Sequence, residues 1–267
     1  MDKNTVSCNI CKSRSAYLDT SIVLEKHYIK YYACSQCGFI QTEEPYWLDE
    51  AYSSAIATSD IGLIGRNIKY SRICAALIPF MLKHDRMYLD YGGGNGMFVR
   101  MMRDLGFDFF WKDKYATNQF ALGFEADANE KFSALTAFEV FEHLPYPILG
   151  VEDMFNYSET LIFSTRLIPR QRIMPHEWWY FAPDTGQHIS LYSWESLNMI
   201  AKKFGVKLSS NGVSLHVLSP QKISSTVLRL LSIPQCASIF SSIVNIRRQP
   251  LLEKDYRQLT GRSFIQK

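Results

Sequence analysis

The sequence predicts an α/β fold whose mostly parallel sheet is closed by an antiparallel hairpin. Strand-like and helix-like segments alternate over residues 62–220, as expected for repeated β-α-β units. The pair Asn211-Gly212 separates two alternating segments, 206–210 and 213–218, and this is the strongest short-range signal for a hairpin. Four cysteines near the N-terminus add a small module to this fold.

Each element of the predicted fold has its own signal in the hydrophobic pattern. In chain order we expect a helix over 64–82, a strand ending at Asp90, a helix over 95–105, a strand over 107–112, a weaker strand over 120–125, a buried strand over 133–142, a helix after Pro147, a buried strand over 160–165 and a helix over 194–204. The last helix has the clearest limits, because Ser193 is a good N-cap residue and Gly205 follows its end.

The length of 267 residues allows one α/β core and an appended module. We divide the chain into a cysteine module at 1–45, a connector at 46–61, a main domain at 62–220 and a helical extension at 221–267. The aromatic residues of the connector are expected to pack onto the main domain. The extension has a packing role by default, with a substrate lid, a dimer surface or peripheral membrane contact as alternatives.

Charge and hydropathy restrict the location and the partners. The N-terminus lacks the apolar stretch of a signal peptide, and no run of about 18 apolar residues occurs, so we expect a cytoplasmic protein without a transmembrane segment. Residues 1–165 carry 15 Lys+Arg against 21 Asp+Glu, whereas residues 166–267 carry 14 against 5. The basic part is either a solvated face or faces an anionic substrate, a nucleic acid or a membrane surface.

The cysteine module is predicted to bind zinc. Cys8 and Cys11 form one C-x-x-C pair, and Cys34 and Cys37 form a second pair after 22 intervening residues. Two such pairs are the ligand set of a tetrahedral four-cysteine site, which leaves no open position and is therefore structural. Disulfides are the alternative, but a reducing cytosol opposes them.

A glycine-rich turn follows the strand that ends at Asp90. Gly92, Gly94 and Gly96 give the spacing G-x-G-x-G before a helix, and glycine lets the backbone adopt positive φ and approach a ligand closely. The helix N-terminus adds unsatisfied N–H groups, so the junction suits a nucleotide-type cofactor. An ordinary turn without a ligand is the alternative.

Asp113 ends the next predicted strand, 21 residues after Gly92. An acidic residue at about this distance can accept hydrogen bonds from both ribose hydroxyls of a bound cofactor. A solvated carboxylate at a strand end is the alternative, since Lys112 and Lys114 flank it.

Asp90 with the G-x-G-x-G turn resembles motif I of the class I S-adenosylmethionine-dependent methyltransferases, whose Rossmann-like sheet is also closed by an antiparallel hairpin. This resemblance implies S-adenosylmethionine as the cofactor. It places the following residues at the cofactor: Asp90, Gly92, Gly94, Gly96, Asp113, Phe124 and Glu139. Phe124, Glu125 and Ala126 are the candidates for contact with the adenine.

The segment Glu139–Pro145 resembles the segment of many small-molecule methyltransferases in which E-H-L ends the fourth strand. Glu142 and His143 would then face the methyl group and the acceptor. For His143, a catalytic role and a capping or orienting role both remain open.

The segment 175–193 is expected to be a shaped loop near the ligand, because it combines Pro, Gly, aromatic and titratable residues. Trp178, Trp179 and Tyr180 could close over the acceptor, or one tryptophan could fill the core. The candidate general bases of this loop are His188, Tyr192, His176 and Glu177.

The run from Trp178 to Ser193 resembles methyltransferases associated with bacterial surface-polysaccharide clusters. Zinc knuckles joined to this fold also resemble sugar-nucleotide C-methyltransferases, which carry a larger C-terminal domain than this chain. We therefore expect O- or C-methylation of a nucleotide-linked sugar or polysaccharide precursor, with His143 or His188 as the base.

Two other functions are considered. A ribosomal-RNA guanine methyltransferase family also joins a zinc module to this fold, so an rRNA or tRNA base is an alternative acceptor. The cysteine module is not rich in Lys or Arg, which makes a nucleic-acid partner less favoured. A degenerate scaffold without activity is the third hypothesis, and the intact glycines oppose it.

Overall fold

The computed structural model describes residues 4–53, 60–82, 87–171 and 173–263. Its elements are β1 (Thr5–Ser7), β2 (Arg14–Val23), β3 (His27–Cys34), β4 (Ile40–Thr42), α1 (Leu48–Ala51), α2 (Leu63–Met81), β5 (Tyr88–Tyr91), α3 (Met97–Asp104), β6 (Phe109–Lys112), β7 (Ala134–Ala137), α4 (Pro147–Phe155), β8 (Leu161–Ser164), β9 (Ser190–Leu191), α5 (Trp194–Lys203), β10 (Lys207–Ser210), β11 (Leu215–Ser219), α6 (Ser225–Leu231), α7 (Pro234–Val244) and α8 (Leu252–Thr260). Short 3-10 helices span Phe141–His143 and Trp179–Phe181.

The larger sheet confirms the predicted topology. Its strand order is β10-β11-β8-β7-β5-β6, with β8, β7, β5 and β6 parallel and β11 antiparallel to β8. The predicted hairpin joins β10 and β11, and the Asn211 side chain closes it by accepting hydrogen bonds from the next backbone N–H groups. Strand order reverses beside β5 and β7, so the ligand crevice is expected at their carboxyl ends.

Helices cover both faces of this sheet. One apolar core lies under α2, α3, α6 and α7, and a second lies under α4 and α5. The best-delimited helix begins as predicted, because the Ser193 hydroxyl accepts from the Ser196 N–H and the Ser193 N–H donates to the Ser196 hydroxyl. This capping box places α5 directly after β9.

Two predicted strands are wrong in extent. The strand over 133–142 ends at Ala137, because Glu139 adopts φ 54° and its N–H donates to Ser164 Oγ. The strand over 120–125 is reduced to one bridge between Trp111 and Glu125. The Glu125 carboxylate accepts from the backbone N–H of Gly123 and folds this segment into turns.

The cysteine module forms four strands, β1 to β4, of a second sheet that the sequence pattern did not predict; we call it the cysteine-bearing sheet. Its strand order is β1-β2-β3-β4-β9, and Gln41 of β4 pairs with Ser190 of β9. Residues 190–191 therefore join this sheet although they follow β8 of the larger sheet along the chain. The division of the chain into four parts stays a prediction.

The connector contacts the loop before β9. Trp47 is buried, and its indole N–H donates to the Gly186 carbonyl. Tyr52 lies farther along the connector, with its hydroxyl 2.8 Å from His143 Nδ1. Residues 54–59 of the connector lie outside the described residues.

The C-terminal helices pack against α2 and α3. The guanidinium of Arg103, which is 1% exposed, is bound by both carboxylate oxygens of Asp255 in α8 and by Asp108. Asn245 also donates to the Ala75 carbonyl within α2. Among the described residues, no single helix has the length and apolar composition needed to cross a membrane; the pair α6 and α7 meets that test only together, across a 100° bend.

Candidate active site

A cavity of about 920 Å³ opens at the carboxyl ends of β5 and β7. It brings together seven of the predicted site residues: Asp90, Gly92, Gly94, Asp113, Glu139, His143 and His188. One part of its wall, which we call the glycine end, consists of Asp90, Gly92, Gly94 and Asp113. Another part, which we call the histidine end, consists of Tyr52, His143, Trp179, Tyr180 and His188.

Left-handed glycines shape the glycine end. Gly92, Gly94 and Gly96 have φ of 72°, 53° and 86°. A Cβ at Gly92 would lie 2.6 Å from Val140 Cγ2, whereas a Cβ at Gly94 would meet nothing within 4 Å. Gly92 is therefore required by packing, and Gly94 leaves its backbone open to the cavity.

The Asp113 carboxylate holds the glycine loop against the next turn. It accepts hydrogen bonds from the backbone N–H groups of Gly94 at 2.9 Å, Tyr115 at 2.7 Å and Ala116 at 2.8 Å. A carboxylate has about four acceptor sites, so capacity remains for a ligand hydroxyl.

Two more carboxylates line the cavity near this loop. Burial raises the pKa of Asp90 to about 7, and Thr136 donates its hydroxyl proton to Asp90 Oδ1 at 2.7 Å. Glu139 accepts from the Ser164 hydroxyl at 2.6 Å. Its positive φ is a strained conformation for a residue with a Cβ, and such strain is often found at functional sites.

The histidine end is built around two imidazoles whose centroids lie 5.1 Å apart. His188 Nδ1 lies 2.6 Å from the Tyr180 carbonyl oxygen, which can only accept, so Nδ1 carries the proton and Nε2 keeps its lone pair. His143 Nδ1 pairs with the Tyr52 hydroxyl. Burial lowers the pKa of His143 and the pKa of His188, so both rings are neutral near pH 7.

Glu142 lies behind the imidazoles and does not line the cavity. The early end of β7 and the 3-10 helix turn its side chain inward, which corrects the expectation that it faces the acceptor directly. The Tyr180 hydroxyl donates to Oε1 at 2.6 Å, and Oε2 has no hydrogen-bond partner among the described residues. Burial, followed by the charge of Glu139, raises the pKa of Glu142 to about 8.

Three other predicted residues do not line the cavity. Phe124 is buried with its ring 3.7 Å from the Arg103 guanidinium carbon, so the structure places it away from the predicted adenine position. Tyr192 is fully buried and donates to the Phe141 carbonyl at 2.8 Å, which gives its hydroxyl a structural partner. Gly96 caps α3 and packs against Asn118.

The aromatic loop divides between core and cavity. Trp178 is buried, whereas Trp179 is 68% exposed and lines the cavity with Tyr180. His176, another candidate base, is exposed beside Asp19 and does not line the cavity.

Several cavity residues carried no signal in the sequence. They come from the connector, α2 and the turn after β6: Tyr52, Arg66, Asn67, Tyr70 and Tyr115. Helical periodicity predicted α2, but it did not show which of its polar side chains faces a ligand. The stacking of Tyr52 on Tyr115, with centroids 4.5 Å apart, joins residues far apart in the chain.

The four cysteines converge at one point, as predicted. The Sγ atoms of Cys8 and Cys37 lie 3.6 Å apart, those of Cys11 and Cys34 lie 3.4 Å apart, and all four fall within 4.8 Å of one another. The residues after the two pairs, Lys12 and Gly38, have φ of 64° and 66°, so both pairs share one turn geometry. Such a set fits a tetrahedral ion with Zn–S bonds of about 2.3 Å.

Solved structures with a similar fold include several methyltransferases. A methyltransferase of calicheamicin biosynthesis in its SAH-bound form has 11% identity and a TM-score of 0.39, over 57% of this chain and 54% of that chain. The magnesium protoporphyrin IX methyltransferase from Synechocystis PCC 6803 with bound SAH has 11% identity and a TM-score of 0.40, over 66% and 95%. An O-methyltransferase family 2 protein from Planctomyces limnophilus DSM 3776 in complex with apigenin has 13% identity and a TM-score of 0.43, over 64% of each chain.

TM-scores below 0.5 are too low for these likenesses to say what this chain binds. No curated protein matches the sequence. The family described as "Methyltransferase domain" matches residues 66–211, which is more than half of the chain and includes the glycine loop, Asp113, His143 and His188. The chain therefore belongs to the methyltransferase domain family.

Proposed function

We propose that this protein is an S-adenosylmethionine-dependent methyltransferase that acts on a small hydroxylated acceptor. One observation carries the proposal. One cavity joins a glycine loop with its carboxylates to a pair of imidazoles. S-adenosylmethionine, when bound, supplies a methyl group already activated on a sulfonium sulfur, so the protein mainly has to align the acceptor.

The glycine end would hold the cofactor. Asp113 keeps acceptor capacity for a ribose hydroxyl, and Gly94 leaves room for close approach. The carboxylates of Asp90 and Glu139 line the same cavity. Phe124 is not part of this proposal, because its ring lies under Arg103.

The histidine end would hold the acceptor. The Tyr180 carbonyl sets the tautomer of His188, so Nε2 keeps its lone pair, and this nitrogen has no hydrogen-bond partner among the described residues. It is therefore placed to accept the proton of an acceptor hydroxyl. His143 is the second candidate base, with its orientation set by Tyr52.

For the acceptor we propose a nucleotide-linked sugar or a surface-polysaccharide precursor. Trp179 is exposed at the cavity and offers a face for stacking on a sugar ring. Lys112 and Lys114 line the same cavity and could pair with phosphate, whereas Arg66, which also lines it, is already paired with Asp60. An RNA base is less favoured because the cysteine module is poor in Lys and Arg.

We further propose that the four-cysteine cluster holds a structural zinc ion in a reducing, cytoplasmic compartment. Supporting this, all four sulfur atoms come from the protein and no ligand position stays open. The cluster lies in the same core as α5 and the segment before it, because Cys37, Tyr192 and Leu197 of α5 belong to one buried apolar cluster. The ion would thus stabilise the segment that follows His188.

Two measurements test the proposed function. Methyl-transfer assays with nucleotide-sugar, lipid-linked glycan and RNA pools, analysed by mass spectrometry, should show methylation in a sugar pool. Calorimetry should show binding of S-adenosylhomocysteine. Methylation of RNA alone would assign the acceptor to a nucleic acid, and the absence of any cofactor binding would favour a non-catalytic scaffold.

A further inference from the structure

Three side chains converge at the histidine end, although proton transfer from an acceptor would need only one of them. One carboxylate oxygen of Glu142 and one nitrogen from each of His143 and His188 all lie within 4.8 Å of one another. They come from two separate segments, so the fold creates the cluster.

Each of these groups has one polar atom held by the protein. His188 Nδ1 donates to the Tyr180 carbonyl, His143 Nδ1 pairs with the Tyr52 hydroxyl, and Glu142 Oε1 accepts from the Tyr180 hydroxyl. With His143 Nδ1 protonated and donating to the Tyr52 hydroxyl, these bonds leave Nε2 of both imidazoles and Oε2 of Glu142 without a hydrogen-bond partner in the described part of the chain. Metal-binding histidines usually have their second nitrogen fixed in this manner, and ligating carboxylates are likewise hydrogen-bonded.

One oxygen of the buried Glu142 side chain lacks a hydrogen-bond partner within the ranges that the structure describes. The residue is fully buried, and Oε2 has no partner among the described residues. An oxygen buried without a hydrogen bond is costly, and a cation that bound the ionised carboxylate at this point would supply the missing partner.

We propose that Glu142, His143 and His188 bind a divalent cation of the Mn²⁺, Fe²⁺, Co²⁺ or Zn²⁺ class, separate from the four-cysteine site. Two imidazoles and one carboxylate suit such ions and leave further coordination positions open. Ligand atoms around one ion with bonds of about 2.1 Å lie about 3–4 Å apart, so small side-chain adjustments would complete the site.

Binding of the cation is independent of the proposed methyl transfer, whereas its effect on the acceptor rests on that function. Because His143 and His188 line the cavity, an open position of the ion would face the acceptor. A hydroxyl oxygen bound there would lose its proton to water more easily. That oxygen would then bond to the methyl carbon as the carbon–sulfur bond breaks. The cation would take over the task of the free imidazole, since a coordinated nitrogen has no lone pair for a proton.

Mn²⁺ is the probe that separates this site from the cysteines, because manganese prefers oxygen and nitrogen ligands to thiolates. Titration of the full chain with Mn²⁺, followed by the electron paramagnetic resonance signal of the free ion, should show one bound equivalent. Glu142→Gln and His188→Asn should each weaken binding at least 10-fold. His216→Gln, which alters a buried histidine outside the cluster, should leave Mn²⁺ affinity unchanged.

S-adenosylhomocysteine binding by calorimetry serves as the folding control for every variant. Variants that bind S-adenosylhomocysteine normally but lose Mn²⁺ would support the site. If the wild-type protein binds S-adenosylhomocysteine but no Mn²⁺, and zinc analysis finds one equivalent in both wild type and Glu142→Gln, the metal proposal is overturned and the proposed function stands. Mn²⁺ binding without S-adenosylhomocysteine binding would instead refute the proposed function alone.

Discussion

The two ends of the cavity are built in different ways. The glycine end comes from one short stretch, in which β5, the glycine loop, α3 and Asp113 follow one another along the chain. The histidine end gathers Tyr52, His143 and His188 from three distant segments. The first end is mostly backbone in a local conformation, and the second consists of side chains that only the fold brings together.

This difference implies different vulnerabilities. The glycine loop is held by its own neighbours, because Asp113 accepts from Gly94 and the glycines supply the required φ values. The histidine end depends on the cysteine-bearing sheet, since β4 pairs with β9 directly after His188. Disruption of that sheet should therefore impair acceptor activation more than cofactor binding.

The strongest test of this comparison removes one cysteine ligand. Structural zinc contributes about 10–16 kcal/mol in small zinc domains, so Cys37→Ser should loosen the cysteine-bearing sheet and abolish methyl transfer. S-adenosylhomocysteine affinity, measured by calorimetry, should fall far less than activity. Cys236→Ser, a change at a cysteine outside the cluster, is the matched control. Equal loss of activity and cofactor binding would show that the two ends are not separable.

His188→Gln tests the histidine end alone. Loss of the group that activates the acceptor should lower kcat by about 100- to 10,000-fold, while S-adenosylhomocysteine affinity stays near that of wild type. His176→Gln is the control, because that imidazole is exposed and outside the cavity. A variant with unchanged kcat would remove His188 from the acceptor site.

Asp90 provides a pH test of the glycine end. Burial raises its pKa from 3.8 to about 7, so its protonated form stabilises the fold fully below pH 3.8, and this stability is lost as pH rises through about 7. Asp90→Asn keeps an oxygen for the Thr136 hydroxyl and should remove this pH dependence. At about 1.4 kcal/mol per pH unit of pKa shift, the effect on the free energy of unfolding is at most roughly 4 kcal/mol.

Denaturant unfolding at pH 5 and pH 8 measures this effect of Asp90. Wild type should lose stability over that interval relative to Asp90→Asn, whereas Asp104→Asn at the end of α3 should follow wild type. Parallel pH curves for wild type and Asp90→Asn would mean that the buried carboxyl is ionised throughout.

Asp113→Asn should have the smallest effect of the four changes. Replacing one carboxylate oxygen by NH₂ removes a hydrogen-bond acceptor that Asp113 offers to the Gly94 N–H and to a bound ribose hydroxyl. Cofactor affinity should therefore weaken by about 1–3 kcal/mol. Calorimetry with S-adenosylhomocysteine measures the change, and kcat at saturating cofactor should change little. Unchanged affinity would contradict the ribose assignment.

Much of the fold could be predicted from the sequence because its signals are local. Asn211 closes its hairpin through its own neighbouring N–H groups, and Ser193 caps the helix that follows it. The cysteine pairs also converge as their spacing indicates. Backbone preference and hydrogen bonding within a few residues decide such features, so they can be predicted without knowledge of distant contacts.

The amino-acid sequence by itself determined the parallel sheet, the closing hairpin, the cysteine cluster and the glycine loop with Asp113. Only the tertiary structure decided that β7 ends at Ala137, that Phe124 lies under Arg103, and that β9 joins the cysteine-bearing sheet. Tertiary packing alone also sets Tyr52 and Tyr180 beside the imidazoles, where each contacts a ring nitrogen. The physical reason is that a side chain's partners across the fold depend on packing and burial, which no periodicity along the chain encodes.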